Sequence, residues 1–271
     1  MNRMNIRDIQ RVSLEILKDI HEFCLENKIN YTLFGGTLIG AVRHNGFIPW
    51  DDDLDIAMPR PDYERFLQLY GKAGREYLLL SREIQKKDVF LAYSRVCDTG
   101  RTFVDTKKYP WSVYETGVWI DVFPLDGMPD DYKRALKVTH KANRLFNLTC
   151  KARGIISLNN KVGGFKLHIK RMIGQIVFPF FNRWDRLIHF CKSIDYDQAS
   201  HYSNLSFGLY GIREYCSKSV LNEFILHKFE ENNFYIMGGF DIALTSKYGD
   251  YMTLPPVEKR KGTHGYDYFW K

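Results

Sequence analysis

A chain of 271 residues with 45% hydrophobic and 26% charged side chains can bury a full core, and that balance excludes a disordered or collagen-like polymer. Its five cysteines are widely spaced and never form CxxC, which excludes a disulfide framework and a zinc cluster and suits a reducing cytoplasm. The net charge of +7 is uneven: Lys133–Lys192 holds 14 Lys/Arg against Asp185 alone, a charge of +13, leaving the other 211 residues at −6.

In chain order, the opening MNRMNIRDIQ lacks an apolar signal core. Residues 7–28 then place Ile9, Val12, Leu14, Ile16, Leu17, Ile20, Phe23 and Cys24 largely at helical spacing, which predicts an amphipathic helix. YTLF (31–34) reads as a strand stopping at Gly35-Gly36, followed by a short helix over 37–43. Pro59-Arg60-Pro61-Asp62 starts a helix running to about Ala73. Residues 89–97 and 102–105 have strand character. GVWIDVFPLDG (117–127) alternates Val118, Ile120 and Val122 on one face with Trp119, Asp121 and Phe123 on the other, and Pro124 is expected to end it. From about 130 to 195 the pattern is helical and basic, and FDIALTSKYG (240–249) is a further helix before a Pro-containing tail. The longest apolar stretch, IGQIVFPFF (173–181), is too short to span a bilayer. The expected class is α+β: a mixed sheet flanked by helices over 1–130, a basic helical region over 131–235, and a C-terminal segment, 236–271, returning to the site.

FIPWDDDLDI (47–56) is the most informative stretch. On a strand, Asp51, Asp53 and Asp55 would share one face while Asp52, Leu54 and Ile56 point away. Three carboxylates on one face repel unless a cation joins them. A calcium loop is excluded, because its sixth position would be Ile56 and its twelfth Asp62, with Pro59 and Pro61 inside. A solvated turn fits the apolar flanks Ile48, Trp50, Leu54 and Ile56 poorly. Asp121 sits mid-strand in WIDVF, as either the buried partner of an Arg or Lys or a further ligand beside Asp53 and Asp55. An all-oxygen set favours Mg2+ over zinc, one ion or two, with manganese able to substitute. Gly35 and Gly36 let backbone amides approach a phosphate, and Thr37 can cap the helix or bond that phosphate. Neither a P-loop nor GxGxxG occurs.

This set has the pattern of the nucleotidyltransferase fold, and the chain resembles the LicD/fukutin family. LFGGTLIGAVRHNGFIPWDDDLDIAMPRPDYERF (33–66), GVWIDVFPLDG (117–127) and YGDYMTLPPVEKR (248–260) carry the resemblance, while 130–235 adds little to it. It implies a Mg-dependent phosphotransferase that moves phosphocholine from CDP-choline onto a sugar hydroxyl of teichoic acid or lipopolysaccharide and releases CMP. A sister reading swaps the donor for CDP-ribitol or CDP-glycerol. A metal-dependent DxD glycosyltransferase would explain Asp53-Leu54-Asp55 but neither the glycine pair nor Asp121.

On that resemblance Asp51, Asp53, Asp55 and Asp121 would hold the metal, with Asp121 or Asp51 as general base, and Gly35, Gly36 and Thr37 would meet the donor phosphates. Arg43, Arg95, Lys259 and Arg260 are candidate phosphate contacts. Trp50, Trp111, Tyr114, Trp119 and Tyr251 are candidates for a cage around a quaternary ammonium. The basic, apolar FKLHIKRMIGQIVFPFFNRWDRLIHF suggests an interfacial helix on an anionic membrane, facing a lipid-linked glycan on the inner side of the cell membrane, or else a surface that binds the phosphate-rich acceptor itself. Nucleic acid is the less favoured partner.

Overall fold

The computed structural model describes residues 2–106, 111–152, 184–208, 210–262 and 265–271. After β1 (Asn2–Arg3), helix α1 (Ile6–Asn27) begins at a capping box in which the Asn5 and Asp8 side chains each accept the other's backbone N–H. Lys28, with φ of 52°, ends it. Its buried stripe of Ile9, Val12, Ile16, Leu17, Ile20, Phe23 and Cys24 is the one that the periodicity predicts, except that Leu14 is only partly buried. Truncating a member such as Ile16 to Ala costs about 2–5 kcal/mol.

Next come β2 (Thr32–Leu33), α2 (Gly35–His44), β3 (Asp55–Pro59), α3 (Arg60–Tyr70), β4 (Leu78–Ser81), α4 (Arg82–Gln85), β5 (Ser94–Asp98), β6 (Thr102–Asp105) and β7 (Val118–Met128). The central sheet runs β2-β3-β7-β5-β4. Only β3 and β7 are parallel within that path; the other neighbours are antiparallel. The fold is α+β with a mixed sheet, as the sequence predicts. α3 covers one face, since its Tyr63 hydroxyl lies 2.5 Å from Ser94 Oγ. Ser94 pairs with Val122, so the face carrying Trp119, Asp121 and Phe123 is the opposite one.

Pro124 does not end its strand. β7 continues to Met128, because β5 pairs only as far as Val122 and β8 (His201–Ser203) starts pairing at Asp126. The proline falls in the gap between these two partners, where no ladder N–H is required. Two further differences have local causes. The glycine pair lies inside α2 rather than ahead of it, with Gly35 at a φ of 57° that a side chain would resist. The strand expected over 89–97 starts only at Ser94; Val89 makes an isolated bridge to Ser112.

Beyond the sheet, α5 (Tyr132–Ala152) and α6 (Trp184–Cys191) share a small second core of Ala135, Ala142, Leu145, Trp184 and Leu187. The predicted interfacial stretch around 173–181 lies outside the described residues. β9 (Cys216–Ser217) pairs with β8, β10 (Phe224–Phe229) and β11 (Asn232–Met237) form a hairpin, and α7 (Phe240–Tyr248) follows. The chain closes with β12 (Asp267–Trp270), which lies between β1 and β6 in a separate antiparallel sheet. All five cysteines are free thiols. Among the described residues, no helix is long and apolar enough to cross a membrane.

Candidate active site

Register builds the centre of the site. Asp55, the first residue of β3, pairs with Asp121 on β7, and Asp121 pairs with Arg95 on β5. The three side chains therefore form a row across adjacent strands on the face opposite α3. Arg95 grips Asp121 with two bonds, Nε donating to Oδ1 at 2.5 Å and Nη2 to Oδ2 at 3.3 Å. Burial opposes the guanidinium charge, yet Asp121 beside it holds the Arg95 pKa above its ordinary value. Of the two readings open for Asp121, a buried partner for an arginine is present.

The aspartates ahead of β3 differ from the strand expectation. Only Asp55 is in the strand; Asp51, Asp52 and Asp53 occupy an irregular lead-in, so alternation does not govern them. Carboxylate oxygens of Asp51, Asp52 and Asp53 lie within 4.8 Å of one another, and Asp52 joins the group instead of pointing away. Leu54 and Ile56 are buried beneath, as predicted.

The glycine pair explains how α2 approaches this charge. A Cβ on Gly35 would stand 2.8 Å from Asp55 Oδ2, and one on Gly36 would stand 2.9 Å from Asp51 Oδ2. Bare glycines thus bring the positive end of α2 against two carboxylates, offsetting part of their repulsion. Phe34, at the helix start, makes no side-chain capping bond. The Thr37 hydroxyl accepts the Asp55 N–H at 2.8 Å and so anchors the start of β3 rather than capping α2.

The aromatic candidates surround cations that the chain itself supplies. The Arg95 guanidinium lies 4.2 Å from the Trp111 ring, 4.3 Å from Trp119 and 5.7 Å from Tyr93. Its Nη1 is buried without a hydrogen-bond partner among the described residues. Arg260 lies 5.5 Å from the Trp50 ring. Tyr114 is exposed, and the Tyr251 hydroxyl donates to Asp241. Arg43 donates to the backbone oxygens of Tyr251 and Thr253, holding the C-terminal loop, and its pKa is lowered by burial and by nearby Arg260. Lys259 is exposed in a single turn of that loop. The structure thus gathers Asp51, Asp53, Asp55, Asp121, Gly35, Gly36, Thr37, Arg95 and Trp119 at the centre. Arg43, Trp50, Lys259 and Arg260 form a rim.

Several neighbours escaped the sequence reading. Burial raises the Tyr248 phenol pKa, and Tyr210 and Asp55 raise it further; its hydroxyl lies near Gly35. Tyr268 on β12 is raised by burial and then by Asp52 and Asp53. Lys247 is buried between Glu214, at 2.5 Å, and the rings of Phe34 and Tyr210. Tyr248 lies within the C-terminal motif block, but spacing gives no sign that α7 reaches Gly35. As a donor set, the three clustered carboxylates of Asp51, Asp52 and Asp53, with Asp55 beside Gly35, fit a hard divalent cation such as magnesium.

Residues 28–147 match the family model described as LicD/FKTN/FKRP, nucleotidyltransferase domain. The chain is 32% identical to a lipopolysaccharide cholinephosphotransferase, LicD, of Haemophilus influenzae, with 97% of each chain covered. It is also 52% identical to an uncharacterised protein of Rickettsia prowazekii, over 38% of this chain and 46% of that one.

Proposed function

The chain belongs to the LicD/fukutin family, and from that premise we propose that it is a phosphotransferase moving phosphocholine from a CDP-linked donor to a sugar hydroxyl of a cell-surface glycan. The observation that carries this reading is the carboxylate cluster set against the glycine-led start of α2, in a chain collinear with a lipopolysaccharide cholinephosphotransferase. Asp51, Asp53 and Asp55 would hold magnesium, with Asp121 behind them and Asp52 now within reach of the same group. When bound, that ion supplies charge neutralisation for the donor diphosphate and the departing CMP.

The remaining steps fall to the chain. The amides of Gly35 and Gly36 receive phosphate oxygens at the positive end of α2. Arg95 fixes the Asp121 carboxylate, and its buried Nη1 is a further donor for an anionic oxygen. Asp51, half-buried beside Gly36, is better placed to take the proton of an attacking hydroxyl than Asp121, whose two oxygens Arg95 engages. Thr37 keeps Asp55 in position through the backbone.

One observation favours the sister reading with a CDP-alditol donor. The tryptophans expected to cage choline already face Arg95 and Arg260. A neutral polyol needs no such cage. The purified chain, incubated with magnesium, a glycan acceptor and either CDP-choline, CDP-ribitol or CDP-glycerol, separates the two by CMP release. Turnover of CDP-choline with choline incorporated into the glycan supports the leading reading. Turnover of an alditol donor alone replaces it, and silence with all three overturns both.

A further inference from the structure

We propose that the loop over 252–261 is a docking surface for an anionic lipid bilayer. Four apolar side chains stand exposed on one rim of the molecule: Val257 (72%), Ile242 (63%), Met252 (52%) and Leu254 (44%). Single exposed aliphatics are ordinary, but a group of four on one short stretch and the helix beside it is not. The helix and the loop are joined, because the Tyr251 hydroxyl donates to Asp241 Oδ1 at 2.6 Å at the start of α7.

The loop is braced from below. Arg43 Nη1 donates to the Tyr251 oxygen at 2.6 Å, Arg260 Nε donates to the Pro255 oxygen at 2.8 Å, and Pro255-Pro256 stiffens the turn between them. Such bracing holds the aliphatic tips outward, so little conformational entropy is lost when they insert.

Charge selects the partner. Within 252–261 Glu258 is the one acidic residue, against Lys259, Arg260 and Lys261. Aliphatic tips followed, after Glu258, by three consecutive cations match the boundary between acyl chains and anionic headgroups. The loop also leads into the site. A Cβ on Gly262 would stand 3.7 Å from Asp52 Oδ1, and Arg260 lies over Trp50. A bilayer seated on the loop would therefore face the carboxylate cluster, where a lipid-anchored glycan must deliver its hydroxyl. That orientation rests on the acceptor proposed above; the binding itself does not.

The full chain is tested by co-sedimentation with vesicles of phosphatidylcholine alone or mixed with phosphatidylglycerol. The native chain is expected to partition onto the anionic vesicles. Leu254→Ser/Val257→Ser should lower the partition coefficient about tenfold or more, and Lys261→Gln about fivefold, with thermal unfolding unchanged in both variants. Transfer to a water-soluble glycan should stay native while transfer to the same glycan anchored in vesicles falls. Failure of the native chain to bind anionic vesicles overturns the proposal. So does native binding by both variants, which would leave the rim to another partner, or an equal loss of transfer to the two acceptors. A chain that binds vesicles through this loop but turns over no CDP-linked donor would refute the proposed function and leave the docking surface standing.

Discussion

Strand β7 carries two buried arginine–aspartate pairs, Arg95–Asp121 and Arg60–Asp126, and they differ in almost everything except burial. Side-chain exposure is 8% and 11% in the first, 8% and 0% in the second. The aspartates lie five positions apart along the strand, so they face opposite sides of the sheet. Asp121 adjoins Asp55 in register, and through it the carboxylate cluster. Asp126 receives Arg60 Nε and Nη2 on one oxygen, while the guanidinium rests on the Tyr63 ring beneath α3. A buried ion pair therefore does not mark a catalytic centre. Its neighbours decide whether it orients a reactive group or fastens a helix to a sheet.

Removing charge at the two ends should have opposite results. At the first, Asp53→Asn or Asp55→Asn should reduce CMP release by about four orders of magnitude, ~5.5 kcal/mol of transition-state stabilisation. Thermal stability should hold or rise, since like-charge repulsion is relieved. Near-native turnover in both variants would show that these carboxylates hold nothing the reaction needs.

Removing the arginines sharpens the contrast. Arg60→Met and Arg95→Met each leave a buried carboxylate without its cation, which costs about 3–5 kcal/mol in urea unfolding. Assayed at low temperature and normalised to the folded fraction, Arg60→Met should keep native kcat and KM for the donor. Arg95→Met should lose kcat about a hundredfold, because Asp121 loses its orientation. Equal losses of kcat would erase the distinction between the pairs.

Much of this molecule was legible in its residues, and the gaps have physical causes. The stripe of Ile9, Val12, Ile16, Leu17 and Ile20 announces α1, and the alternation around Asp121 announces β7, because burial imposes periods of 3.6 and 2. Pro124 misled, since a strand can change partners at a proline and continue, and the pairing of β7 with β8 involves residues 73 or more positions apart. Alternation also failed at Asp52, where the backbone is irregular. The aspartates and glycines of the candidate site stood out by composition and spacing. That Arg95 would grip Asp121, that the tryptophans would surround Arg95, and that Tyr248 and Tyr268 would close on the cluster depended on long-range packing. Of the two β7 pairs, WID and PLDG look alike as aspartates among apolar residues, and spacing does not tell their roles apart.

The smallest effect concerns pH and tests how the second pair is held. Burial raises the Asp126 carboxyl to about 6, against the opposing pull of Arg60. The unfolded chain releases that proton near the ordinary value of 3.8, so between pH 4 and 6 the native state binds more protons than the unfolded state. Stability contributed by this group is therefore greatest below pH 4 and declines as pH rises, by up to about 3 kcal/mol in all at 1.36 kcal/mol per pKa unit. Asp126→Asn carries no titrating group there. Urea unfolding of the native chain and of Asp126→Asn from pH 4 to 7 isolates the contribution, because their other carboxylates are shared. The native chain should lose stability relative to the variant as pH rises through 6. A difference that stays flat would mean that Arg60 offsets the burial of Asp126 in full, and one that grows in the native chain's favour would make Arg60 the stronger influence.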